Sequence, residues 1–192
     1  MNKLFILLSL ILLTASNAKS ENILLDFEKI TTTPDSVANF YDTEFGVVFD
    51  TQAAAYRHAD RAFSNEPSFE TILYSSSDFF MHRPSGFKDI LSFYHSNNHD
   101  TSVTIFDASS NILATATLTA TGNPDPNNPS IWERATINFN GTATRVAFSG
   151  DTLYDNIQLG KTTVPTLSGF FKLLLLMLLA GISIRRLQPH RS

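Results

Sequence analysis

The sequence predicts an all-β fold, a jelly-roll-like antiparallel β-sandwich, with an up-and-down barrel as the alternative architecture. Three observations point there. Between residues 21 and 160, short runs rich in Val, Ile, Thr and Phe are separated by clusters of Gly, Asn, Asp and Pro, with no long amphipathic helix pattern between them. Within the runs, apolar and polar residues alternate with a period of two: in RATINFN, Ala135, Ile137 and Phe139 alternate with Arg134, Thr136 and Asn138. The chain carries 16 Phe, which supply a core, and no Cys, so disulfides, zinc–thiolate sites and cysteine nucleophiles are excluded.

In chain order the predicted strands are ILLDFE (23–28), FGVVFD (45–50), DILSFYH (89–95), SVTIFDA (102–108), ILATATL (112–118), RATINFN (134–140), TRVAFSG (144–150) and YDNIQL (154–159). Asn140-Gly141 predicts a tight hairpin turn between RATINFN and TRVAFSG. Asp107 closes a turn after SVTIF, and Ser109-Ser110-Asn111 turns the chain into ILATATL. Residues 51–69 read as a long loop with a helical turn, and the Pro- and Asn-rich residues 122–130 as an exposed loop.

The two ends read as export and membrane signals. In MNKLFILLSLILLTASNAKS, Lys3 precedes an apolar run from Leu4 to Leu13, and Ser16-Asn17-Ala18 offers a small-residue cleavage site. A signal peptide over residues 1–18, handled by the export translocon, is expected; a retained signal anchor is the other reading. The expected span, residues 167–185, is apolar from Leu167 to Ile184, about the minimum length for a bilayer crossing; Lys172 interrupts it, and Arg185, Arg186 and Arg191 follow the apolar run. Positive flanks stay cytoplasmic, so residues 186–192 form a basic cytoplasmic tail and the domain at 21–160 faces outward. A net charge of -4 without a basic run excludes nucleic acid as a partner. Export without cysteine suits a bacterial cell envelope.

Val164, Pro165, Thr166, Leu167 and Ser168, with the following span and the Arg185–Arg186 pair, resemble the PEP-CTERM class of bacterial sorting signals. The narrower resemblance is to its IPTL-CTERM variant, although Gly169-Phe170-Phe171 follows where that variant usually carries an acidic residue and Trp-Gly. The resemblance implies an exosortase-like membrane processing enzyme as partner, reading a linker and motif at 161–166, and a place near exopolysaccharide or biofilm matrix. A plain membrane anchor is the alternative. Pro165 keeps its predecessor extended and accessible in either case. DFE, NFYDTEFGVVF, AFSNEPS and YDNIQLG also look like the pattern of tagged exported sandwich domains, which are similar to carbohydrate-binding modules.

That resemblance implies one structural calcium ion, held by Glu28 in the first strand and Asp155 in the last; ordinary surface or turn carboxylates are the other reading. The alternation places Asp155 inward with Ile157 and Leu159, and Glu28 opposite Leu25 and Phe27. Asp42 and Glu44 are further acidic candidates. Trp132 shares the water-facing parity of Arg134 and Thr136, either as a polysaccharide-stacking platform or packed at the domain edge. His95 and His99, in HSNNH, read as solvated loop residues, and His58 in YRHADR as part of an imaginable acid–base group. No GxSxG or HExxH accompanies them. The expected function is a non-catalytic exported envelope or matrix protein. A carbohydrate-binding module is the first alternative and a small envelope hydrolase the second.

Overall fold

A computed structural model describes residues 22–31, 35–58, 63–125 and 128–160. Ten strands follow in chain order: β1 (Ile23–Leu25), β2 (Asp35–Ser36), β3 (Val48–Phe49), β4 (Ala54–Arg57), β5 (Thr71–Ser75), β6 (Phe79–Ser96), β7 (Thr101–Phe106), β8 (Ile112–Leu118), β9 (Glu133–Phe148) and β10 (Thr152–Leu159). One helical turn, α1 (Asp42–Phe45), precedes β3 and ends at Gly46, whose φ of 64° caps it. All strand pairs are antiparallel. The hydrogen-bonded order is β2-β4-β5-β10-β6-β9-β7-β8, with β1 also on β10 and β3 on β6.

Two long strands turn this continuous ladder into two packed layers. Phe79 and Phe93 both lie on β6, and fourteen residues of extended chain would separate them by roughly 46 Å. Yet Phe148 stacks on Phe79 at 5.1 Å between ring centroids and touches Phe93 at 5.8 Å. Tyr154 meets Phe79, Phe93 and Phe148 at 5.9, 5.6 and 4.9 Å. The paired strands β6 and β9 must therefore fold back over the core. Their register shifts mark the fold, between His82 and Phe87 and again between Lys88 and Ile90. One layer is β3, the start of β6, the end of β9, β7 and β8. The other is β10, the end of β6 and the start of β9, extended by β5, β4, β2 and β1.

Local chemistry explains why the chain bends there. Gly86 has φ 76°, and a Cβ on it would lie 2.4 Å from the Thr142 methyl group. Buried Arg83 ties the bend by donating to the carbonyls of Phe45 and Gly86.

This geometry corrects two sequence expectations. Asn140-Gly141 makes no hairpin: β9 runs through it, because both halves already have a partner in β6. The positive φ of Gly141, 105°, serves the bend instead of a reversal. Residues 51–69 are not merely a loop, since Ala54–Arg57 forms β4 between β2 and β5. Three alanines carry little strand propensity, and pairing on both sides overrides it. The helical turn lies earlier, at α1, and β5 was not among the expected strands.

Among the described residues no helix is long and apolar enough to cross a membrane. The expected signal peptide (1–18), linker with motif (161–166), span (167–185) and tail (186–192) lie outside the described residues, and so do Val164, Pro165, Thr166, Leu167, Ser168, Arg185 and Arg186.

Candidate functional site

Glu28 and Asp155, far apart in sequence, converge on one segment. β1 ends at Leu25, and Phe27 then takes φ 62°, a left-handed conformation rarely used by a bulky residue. Its backbone N–H donates to the Tyr41 hydroxyl at 2.8 Å, which holds the turn. Burial pushes the Tyr41 hydroxyl well above its ordinary pKa, so it stays neutral. Beyond this break the strand alternation no longer applies. Glu28 is half-buried, and its Oε1 accepts from the backbone N–H groups of Glu70 and Thr71, both at 3.0 Å.

Asp155 reaches the same segment from β10. It is 0% exposed and follows an equally buried Tyr154, an adjacency that simple alternation forbids. The register shift after Asp155, with φ 51° at Asn156, makes it possible. Its Oδ2 accepts from the Ser68 backbone N–H at 2.7 Å and its Oδ1 from the Asn156 N–H at 2.7 Å. The Ser68 hydroxyl lies 2.7 Å from both carboxylate oxygens, and 3.5 Å from the carbonyl oxygens of Asp26 and Thr71. One hydroxyl proton satisfies one acceptor at a time, so four oxygens surround a single donor.

Electrostatics sharpen the picture. Burial raises the Asp155 pKa to about 6; the hydrogen bonds from Ser68 and Asn156 oppose that rise, and the neighbouring charge of Glu28 adds to it. Among the described residues no Lys, Arg or His makes an ion pair with Glu28 or Asp155, and no group of three His, Asp or Glu gathers in one place.

Between these anchors stands Phe69. Its neighbours Ser68, Glu70 and Thr71 are each bound to one of the two carboxylates, yet Phe69 itself is 80% exposed. Beside it Arg57 pairs with Glu70. Sequence reasoning missed Phe69 by assigning phenylalanines to the core. The one sequence hint is its setting in NEPSFE, among Pro and polar residues.

The other predicted residues fall elsewhere. Trp132 is not on the water-facing side: it is half-buried against Phe63, Ile72 and Leu153, and its indole N–H donates to the Ser64 carbonyl at 3.0 Å. The reason is that β9 begins only at Glu133, so Trp132 precedes the alternation that Arg134 and Thr136 follow. His95 is no solvated loop residue. It lies buried near the end of β6 with its Nδ1 2.9 Å from Asn97 Oδ1, and burial lowers its pKa. His99 is exposed. Asp42 and Glu44 sit on α1, where Glu44 pairs with Lys29 at 3.1 Å. His58 is exposed, 4.0 Å from Glu66, while Asp60 and Arg61 lie outside the described residues. Asp107 closes its turn by accepting from the backbone N–H groups of Ser109 and Asn111 and from the Asn111 side chain, each at 2.8 Å.

No family model and no curated protein matches the chain. Among solved structures it resembles a family 6 carbohydrate-binding module, at 15% identity over 62% of this chain and 95% of that one, with a TM-score of 0.39. It also resembles the K1 cleaved adhesin domain of Lys-gingipain from Porphyromonas gingivalis W83, at 14% identity over 74% and 99% of the two chains, with a TM-score of 0.46. A carbohydrate-binding module from Cellvibrio mixtus lichenase 5A, in complex with cellotriose, aligns at 12% identity over 57% and 98%, with a TM-score of 0.36. At these values the likenesses define neither a ligand nor a site in this chain.

Proposed function

We propose that this chain is a non-catalytic polysaccharide-binding module of the bacterial envelope, with a jelly-roll sandwich that presents Phe69 as its stacking platform. The observation that carries this reading is the 80% exposure of Phe69 on a segment pinned from both sides. Sugar recognition needs an aromatic face whose position does not have to be ordered on binding, with polar groups beside it. The Arg57–Glu70 pair supplies the polar groups.

A structural calcium ion belongs to the same proposal. The donors gathered around the Ser68 hydroxyl are all hard oxygens: the Asp155 carboxylate and the carbonyls of Asp26 and Thr71, with Glu28 alongside. Such a set fits calcium and does not fit a softer metal. When bound, the ion neutralises carboxylates that lack a cation and fixes the segment bearing Phe69. In this reading, residues 1–18 direct export through the translocon. The motif Val164–Ser168, with the span and Arg185–Arg186, then tethers the domain outside the cytoplasm for exosortase-type processing toward the surface or matrix.

The test is affinity electrophoresis of the full-length chain through gels containing a panel of polysaccharides. Retardation by at least one of them is expected, and Phe69→Ala should weaken it roughly tenfold with an unchanged melting temperature. No retardation by any polysaccharide, or equal retardation of the variant, overturns the reading. The intact mass of the protein recovered from cells checks the expected processing at both ends.

A further inference from the structure

The geometry points to a second ligand site, for a carboxylate-bearing sugar, on the outer face of the β3-β6-β9-β7-β8 layer at Arg145. Strand register places Arg145 on β9 directly between His82 on β6 and Phe106 on β7. Its guanidinium lies over the Phe106 ring at 4.5 Å and the Phe80 ring at 5.1 Å. Two aromatic faces around one planar cation hold it rigid and strip part of its water while leaving its charge intact. Its Nε is buried without a hydrogen-bond partner, and among the described residues no carboxylate lies within ion-pair distance of it.

A concavity of about 230 Å³ opens beside this cation, lined by Arg145, Thr144, His82, Asp107 and Ser110 among others. Drug-sized pockets begin at about 300 Å³, so this one takes a single ring-sized group. The candidate internal anions are already engaged. Asp50 holds His82 at 3.6 Å and accepts the Phe80 N–H at 2.9 Å, and Asp107 faces the donors of its own turn.

The lining selects among ligand classes. A neutral sugar would leave the preorganised guanidinium fork unpaired. A densely charged polyphosphate would meet the Asp107 carboxylate and a chain of net charge -4. A uronate satisfies both halves: its carboxylate accepts the paired N–H groups of Arg145, and its ring hydroxyls meet Asp107, Ser110 and Thr144. The site does not depend on Phe69, which lies in a different layer beside β5.

The test titrates the full-length chain with sodium glucuronate, glucose and inorganic phosphate, reading Arg145 Nε–H and the backbone amides of Ser110 and Thr144 by NMR. Glucuronate is expected to shift these signals and the other two probes are not. Arg145→Gln should weaken glucuronate binding by roughly tenfold to a hundredfold, and Arg145→Lys should also weaken it, because an ammonium lacks the fork. Phe69→Ala should leave it unchanged, which keeps this outcome separate from that of the polysaccharide test. Silence of all three signals at saturating glucuronate, equal response to glucose or phosphate, or undiminished binding by Arg145→Gln overturns the proposal; the wild-type spectra decide even where a variant fails to fold.

Discussion

Asp155 sits at 0% exposure on β10, and Arg145 is half-buried on the outer face of β9. Neither has a partner of opposite charge within ion-pair distance among the described residues. The surroundings treat the two charges differently. Asp155 is ringed by hydrogen-bond donors and by other oxygens, whereas Arg145 is held between two aromatic faces. A carboxylate relieves unfavourable burial by taking up a proton, and a guanidinium cannot release one. The first region is therefore sensitive to pH, through the proton that burial favours on Asp155, whereas the second offers no such relief.

The largest effect that sharpens this contrast is the pH dependence of the metal-free protein. Asp155 titrates near 6 in the folded chain against an ordinary 3.8, so the native state binds that proton more tightly than the unfolded one. Its contribution to stability is best below about pH 4 and is lost as pH rises through 6, by about 3 kcal/mol in all. Urea unfolding in chelator from pH 4 to 7.5 should show this loss, and Asp155→Asn should flatten it. His95 works in the opposite sense, since its lowered pKa costs stability as pH falls below the ordinary histidine value of 6.5.

Calcium should reverse the Asp155 penalty. At a hundredfold excess over its dissociation constant the ion adds about 2.7 kcal/mol, read as a rise in melting temperature of several degrees at pH 7.5. The rise should shrink below pH 6, where Asp155 takes up a proton, and vanish in Asp155→Asn. An equal melting temperature in calcium and in chelator at pH 7.5 removes the metal from the account.

Smaller effects probe the other region. Phe106→Ala removes one face of the Arg145 stack and should cost about 1 kcal/mol in urea denaturation, the scale of a partly desolvated cation–π contact. An exposed ion pair gives the lower bound. Lys29→Ala, which breaks the pair with Glu44, should change stability by less than about 0.5 kcal/mol.

Much of the ladder was legible in the sequence, for reasons that particular elements make plain. The run ILATATL coincides with β8, and SVTIF with most of β7, because both are short strands whose own turn, closed by Asp107, sets their ends. The first half of β6 was not legible. FFMHRPSGF contains Pro84 and Gly86, which read as a break, and pairing with β9 on either side of them, together with β3 at Met81 and His82, keeps the strand continuous. β4 was hidden for a related reason, since alanine-rich chain becomes a strand only when neighbours pair with it on both sides. At the candidate site, Glu28 and Asp155 could be named from resemblance, but Ser68 and Phe69 could not. Nothing in NEPSFE records that two distant carboxylates will seize its backbone.

By itself the sequence determined the period-two pattern, and with it an antiparallel all-β domain between two apolar ends. It also determined which residues carry charge and which carry aromatic faces. Only the tertiary structure decided which of those meet. The bend in β6 and β9 closed the core around Phe79, Phe93, Phe148 and Tyr154. Positive φ at Phe27 and Asn156 moved two carboxylates off their strand parity and onto one loop. Alternation is a local property of the backbone and can be read residue by residue. A change of parity at a bulge is set by partners far away in the chain, so it exists only once the sheet has formed.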